Sequence, residues 1–208
     1  MSHHQADLAL LHQRCDRCRS CALGGQRQQV VVGRGNPRAP LLLIGEAPGA
    51  QEDALGQPFV GRSGQLLDRL LDRAGFDLQR DLYICNAIKC RPPDNRRPTA
   101  AELAACRPWL IEQIRLIDPV LLVLVGATAL EAVLGIKGRI TRLRGQWLEP
   151  TTGARPSALV SALQGRRLMP ILHPSYLLRF AREGEGSPRW LTGQDLAVVQ
   201  QALRAIAN

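Results

Sequence analysis

The sequence predicts a single α/β domain: a central, mostly parallel four-stranded sheet flanked by helices, as an α/β/α sandwich. Three observations predict it. Apolar runs of strand length alternate with helix-period segments along the whole chain, the pattern of βα units that build parallel sheets. One run, Val120–Val125, is unbroken and rich in β-branched residues, as a strand covered on both faces must be. Finally, 208 residues with 45% apolar content suit one sizeable core rather than two, so one domain over 1–208 is expected.

The elements follow in order. Asp7–Arg14 is a short helical candidate running into Cys15, and Val30–Val32 and Leu41–Gly45 are apolar runs of strand length. The second ends in Gly-Glu-Ala-Pro-Gly, a turn signal. Ser63–Ala74 places Leu66, Leu67, Leu70 and Leu71 on one helical face, with Ser63 as cap and Gly75 as stop. Leu82–Ile88 is the next strand. Thr99 opens a helix to about Ile117, where Thr99 and Glu102 form a capping-box pattern and Pro119 lies beyond the end. After Val120–Val125 come a helix to about Leu134 and a basic loop, Lys137–Arg144. Leu168–Leu172 is the last strand and delivers His173 at its end. Open parallel sheets bind ligands at the carboxyl ends of their strands, and the segments of Glu46, Asn86 and His173 all lie there.

Bulk properties narrow the function. Lys and Arg number 27 against 18 Asp and Glu, a formal charge of +9. Such an excess favours polyanions, since neutralised phosphates release counterions. Met1–Ser20 is polar, without the apolar core of a signal peptide. The longest apolar stretch, Pro119–Ile136, is broken by Gly126 and Glu131 and reads as strand plus helix rather than a membrane span. A cytoplasmic protein without a membrane partner is therefore expected. In that compartment six cysteines point to metal or cluster ligation rather than disulfides. Cys15-x2-Cys18 opens the set, Cys90 follows, and Cys106 comes on the next helix. Spacing alone leaves an iron–sulfur cluster, zinc and no metal all open.

The full run of motifs resolves more. Gly45-Glu46-Ala47-Pro48-Gly49 with Glu52-Asp53 leads into Gly56-Gln57-Pro58-Phe59-Val60-Gly61-Arg62. Tyr83-Ile84-Cys85-Asn86 then runs into Lys89-Cys90-Arg91-Pro92-Pro93, and His173-Pro174-Ser175-Tyr176-Leu177-Leu178-Arg179 closes the series. In this order, across about Cys15 to Leu196, the segments resemble the family 4 uracil-DNA glycosylases. The resemblance implies a repair enzyme that flips uracil out of single- or double-stranded DNA and hydrolyses its N-glycosidic bond, leaving an abasic site. It also implies a [4Fe-4S] cluster on Cys15, Cys18, Cys90 and Cys106, with Cys21 and Cys85 outside the set. A DNA-crosslinking branch resembling the family carries Gln after the motif Glu and a His in the basic loop. Here Ala47 and a loop without histidine favour the hydrolytic branch. A non-catalytic iron–sulfur DNA-binding module on the same fold is the alternative. Family 1 enzymes place an aspartate where this chain has Ala47, which leaves the attacking water without its familiar partner.

The chemistry assigns roles within that resemblance. Cleavage makes an anionic base and a cationic sugar, so a donor to the departing oxyanion accelerates it. His173 is the candidate donor to uracil O2. Asn86 presents an acceptor and a donor that match uracil and mismatch cytosine. Phe59 is the stacking platform, with Gly45 and Ala47 lining the same pocket. Glu46 is assigned to the water or to offsetting the sugar cation. Glu52 is assigned to the wall near uracil C5, with a turn-capping role as the alternative for one of the two glutamates. For DNA, Lys137, Arg139, Arg142 and Arg144 suit phosphates. Ser175, Tyr176, Leu177 and Arg179 lie next to His173, with Tyr176, Leu177 and Leu178 as wedges for the gap left by the base. A monomer is expected.

Overall fold

The computed structural model describes residues 3–150, 157–180 and 184–207. Its sheet has five strands rather than four, in the order β1-β3-β2-β4-β5. These are β1 (Arg34–Gly35), β2 (Leu41–Gly45), β3 (Leu82–Asn86), β4 (Leu121–Val125) and β5 (Arg167–Ile171). Four run parallel, with Leu43 opposite both Ile84 and Val123. The added strand, β1, is a two-residue antiparallel edge on β3. The expected strand at Val30–Val32 is absent. All three valines are buried, Val30 and Val32 with Leu11 and Cys15, and hydrogen bonds from Gln113 to the Val32 carbonyl and from Val31 to the Lys89 carbonyl replace a ladder.

Alternation along β2 and β4 sends side chains to both faces. Leu42, Ile44, Leu122 and Leu124 enter one core, and Leu41, Leu43, Leu121 and Val123 enter the other. The first core is covered by α4 (Ala100–Ile117), α5 (Ala127–Leu134) and α7 (Ser157–Leu163). The second is covered by α3 (Arg62–Arg73) and α9 (Pro188–Ala207). The α/β/α sandwich read from the sequence is thus present. The remaining helices are α1 (His3–Asp16), α2 (Ala50–Leu55), α6 (Ile140–Leu143), inside the expected basic loop, and α8 (Pro174–Leu177).

Caps explain two boundaries. Thr99 accepts from the Glu102 N–H while Glu102 accepts from the Thr99 N–H, the reciprocal box the sequence predicts. Bidentate Arg96 also grips Glu102, holding its carboxyl down at about 2. By contrast α3 is capped by Gly61 rather than Ser63. The Glu52 carboxylate takes the Val60 and Gly61 N–H groups just ahead of the helix, so the chain enters α3 two residues before the serine.

Candidate active site

The strand order places β3 and β4 on opposite sides of β2, a topological switch at which a crevice opens. A cleft of about 680 Å³ lies there, with Glu46, Glu52, Phe59, Asn86 and His173 in its walls. Gly45 supports it from below: a Cβ there would lie 2.4 Å from Phe59 Cζ and 2.5 Å from Asn86 Oδ1. Only glycine lets ring and amide meet over the end of β2.

Asn86 ends β3 and is 2% exposed. Its Oδ1 has no hydrogen-bond partner among the described residues. An unsatisfied buried acceptor costs about 1–3 kcal/mol, which a ligand N–H would recover. Phe59 has φ 55°, an uncommon conformation for a bulky side chain. Two contacts impose it. Gly64 of α3 lies so close that a Cβ there would be 1.9 Å from the Phe59 carbonyl oxygen. Arg34 donates to the Pro58 and Phe59 carbonyls while bridging to Asp68. The ring then sits 6.1 Å from the His173 ring, tilted by 37°.

His173 caps α8. Its Nδ1 accepts the Ser175 N–H at 3.2 Å and lies 2.7 Å from the Ser175 hydroxyl. A backbone N–H only donates, so Nδ1 carries the lone pair and the neutral ring bears its proton on Nε2. Burial, then the charge of Arg179, pull the imidazole down to about 4. The ring is therefore neutral near pH 7 and offers Nε2–H. Ser175, read from the sequence as a DNA contact, is also the residue that sets this tautomer.

The two glutamates separate. Glu52 accepts from Gly49, Val60 and Gly61 N–H groups, bracing the turn that carries Phe59, although it also lines the cleft. Glu46 receives the Thr128 hydroxyl, and that oxygen in turn accepts from Arg97 at 3.1 Å. Thr128 and Arg97 carry no motif in the sequence; only the fold brings α5 against the end of β2.

The DNA candidates also divide. Ser175, Leu178 and Arg179 stand on the cleft wall, and exposed Tyr176 lies against Phe180 with ring centroids 4.6 Å apart. Leu177 is a correction: it is fully buried in the core with Leu67 and Leu71, because α8 turns it inward and leaves Leu178 exposed. Arg139 and Arg142 are exposed, and Lys137 is exposed beside Glu131. Arg144 faces inward instead, bridging to buried Asp195 and donating to the Leu191 carbonyl. It ties α6 to α9, so the phosphate role read for it is also corrected.

The cysteines gather at a second pocket. Cys15, Cys18, Cys90 and Cys106 all line it, and so does Cys21, which the motif reading left out. Two cations face the sulfurs. Arg27 donates to Cys90 Sγ at 3.2 Å. Lys89 is fully buried, with its Nζ 2.6 Å from the Asn86 carbonyl and its N–H on Cys106 Sγ at 3.3 Å. Burial pushes the Cys15 thiol up to about 12 and Cys106 to about 11, against the pull of Lys89. Burial pushes Cys18 the same way, yet Ser20, Trp109 and Arg27 bring it below the usual thiol range. Among the described residues no group of three His, Cys, Asp or Glu side chains is placed to hold a metal ion.

Comparison with known proteins settles the family. The uracil DNA glycosylase superfamily model matches residues 32–197. The chain belongs to that superfamily. Within it, the chain is 43% identical to the type-4 uracil-DNA glycosylase of Thermotoga maritima, over 83% of each protein. It is 37% identical to the type-4 enzyme of Pyrobaculum aerophilum, over 83% of this chain and 85% of that one. The type-4 enzyme of Archaeoglobus fulgidus is 33% identical, over 81% and 87%. The chain is thus a type-4 member of the uracil-DNA glycosylase superfamily. Glu46 and Glu52 are the carboxylates of the cleft wall.

Proposed function

We infer that this chain excises uracil from DNA, hydrolysing the N-glycosidic bond of a flipped nucleotide and leaving an abasic site. The observation that carries it is the meeting of Asn86, Phe59, His173 and Glu46 in one cleft at the strand ends, in a chain of this family. The unpartnered Asn86 Oδ1 accepts uracil N3–H, and the amide nitrogen donates to O4. Cytosine offers an acceptor at N3, which would leave two buried acceptors face to face. Phe59 stacks on the base. Neutral His173 donates Nε2–H to O2 as negative charge develops there, without giving up its proton. Glu52 is committed to three backbone N–H groups, so Glu46 faces the sugar cation and orients the water. Thr128, held by Arg97, is a positioning residue for that carboxylate.

We assign a [4Fe-4S] cluster to the cysteine pocket. Fully buried Lys89, bonded to the Asn86 carbonyl, supports it, because a cation out of water is stable only against compensating negative charge. A thiolate-ligated cluster supplies that charge and ties the N-terminal segment, about residues 1–25, to the loop after β3, making one domain of the chain. Substrates are uracil in single- and double-stranded DNA, with Arg179 and Leu178 at the cleft and Arg139, Arg142 and Lys137 further out. The protein acts as a cytoplasmic monomer; no helix among the described residues is long and apolar enough to cross a membrane.

The test is cleavage of a uracil-containing oligonucleotide, single- and double-stranded, by wild type, His173→Ala and Asn86→Ala. Abasic product from wild type and its loss in both variants is expected. Binding without product from wild type would overturn the assignment, and a denaturation-resistant protein–DNA band would replace it with crosslinking.

A further inference from the structure

Five thiols line the cysteine pocket, one more than a four-iron cube binds. The sixth cysteine, Cys85, is not among its lining and belongs to the main core, so the surplus is the fifth lining thiol. Its geometry is specific. Cys18 sits in the turn after α1, with Cys15 three residues before it on the helix and Cys21 three residues after it, heading a short 3₁₀ turn at Ala22–Gly25. Cys18 thus has a C-x2-C partner on either side, and both partners reach the same wall. Backbone bonds fix this double arrangement: the Cys18 N–H donates to the Cys15 carbonyl at 3.0 Å and the Gly24 N–H to the Cys21 carbonyl at 3.2 Å. The turn is tight enough that a Cβ on Gly24 would lie 2.6 Å from the Cys18 carbonyl oxygen.

The surroundings of the two partners differ. Cys15 is 1% exposed among Leu11, Val30 and Val32. Cys21 is half-buried and packs with Cys90, Cys106 and Leu23.

We propose that Cys18, Cys90 and Cys106 are fixed ligands of the cluster, and that Cys15 and Cys21 are interchangeable occupants of its fourth iron. This rests on the cluster assignment above. Exchange replaces one Fe–S(Cys) bond by another: the entering thiol gives its proton to the departing thiolate, and no electron is transferred. The buried partner is shielded from oxidants while the half-buried one is open to them, so loss of the outer sulfur need not cost the cluster its fourth ligand.

The experiment measures iron and acid-labile sulfide in anaerobically purified holoprotein, with visible absorbance and circular dichroism. The variants are Cys15→Ala, Cys21→Ala, the double variant and Cys90→Ala. Expected are about four irons per chain in wild type and in each single variant, with loss of most iron from the double variant and from Cys90→Ala. Serine variants replace any alanine variant that fails to fold. Loss of the cluster from only one of the two single variants would overturn the proposal by making that cysteine a dedicated ligand. Retention by the double variant would overturn it equally. Wild type without iron and sulfide would overturn the cluster assignment itself, an outcome distinct from the other two.

Discussion

Gly64→Ala sets two physical expectations against each other. Gly64 lies in the first turn of α3 with no left-handed φ, so helix propensity alone predicts a gain of up to about 1 kcal/mol. The steric account predicts the reverse. The new methyl would lie 1.9 Å from the Phe59 carbonyl oxygen and 2.1 Å from its carbonyl carbon, and these are backbone atoms that no side-chain rotation can move. Relief requires α3 and the Phe59 peptide to separate by more than an ångström. Overpacking of this kind costs about 1–3 kcal/mol. Combined with the helix term, the net loss is about 0–2 kcal/mol, a few degrees of melting temperature in a domain of this size.

The effect on activity is larger. Phe59 would move relative to His173, 6.1 Å away between ring centroids, and relative to the floor at Gly45. A misplacement near 1 Å is worth about 10² in rate. The assay is single-turnover uracil excision beside a thermal melt, with Gly193→Ala as control, since a Cβ at that α9 position meets nothing within 4 Å. The control gains up to about 1 kcal/mol and keeps full activity. A Gly64→Ala protein that melts higher and cleaves within about threefold of wild type would refute the account, because the contact would then impose nothing on Phe59.

Other perturbations separate the remaining roles. His173→Ala lowers the single-turnover rate about 10²–10³-fold. With a folded value of about 4, wild-type activity shows no inflection near 6.5 and falls only toward pH 4. The folded value lies below the unfolded one, so the unfolded chain binds the extra proton and melts lose stability as pH drops from 6.5 to 4. Thr128→Val removes the donor to Glu46, a charge-assisted bond of about 1.5–3 kcal/mol. The rate falls at least about tenfold with unchanged DNA affinity, whereas unchanged kinetics would take Thr128 out of the site. Arg144→Ala strands Asp195, whose side chain is 4% exposed, and costs about 3 kcal/mol by chemical denaturation. Arg142→Ala leaves stability unchanged and lowers the salt dependence of DNA binding by about one phosphate contact.

Local signals in the sequence carry most of the fold, and the losses have particular causes. Apolar runs locate β2 to β5, and the Thr99/Glu102 box locates α4 because its hydrogen bonds close within four residues. Val30–Val32 fails as a strand because burial alone does not supply ladder partners; Lys89 and Gln113 take its backbone instead. In the site, Glu46, Asn86 and His173 are legible because each lies at or within two residues of the carboxyl end of a strand. Thr128 and Arg97 are not, since Thr128 bonds Glu46 across 82 positions and Arg97 reaches it only through Thr128. Cys21 had a visible signal in its own C-x2-C spacing with Cys18. Leu177 and Leu178 are adjacent and chemically alike, so only the turn of α8 decides which is buried.

The end of β3 joins the two sites. Asn86 turns its amide into the cleft, while its carbonyl holds the Lys89 ammonium at 2.6 Å. Lys89 lies among the sulfurs, its own N–H on Cys106, and Cys90 follows directly. Asn86 to Cys90 are thus five consecutive buried residues joining the cleft to the cysteine pocket. Rotating the Asn86 peptide would strip a fully buried ammonium of its carbonyl acceptor, a penalty of several kcal/mol. In the proposed cluster, thiolate ligation would supply the negative charge facing Lys89. Under that proposal the orientation of Asn86, and with it the proposed discrimination of uracil from cytosine, depends on the charge of the ligated cysteines.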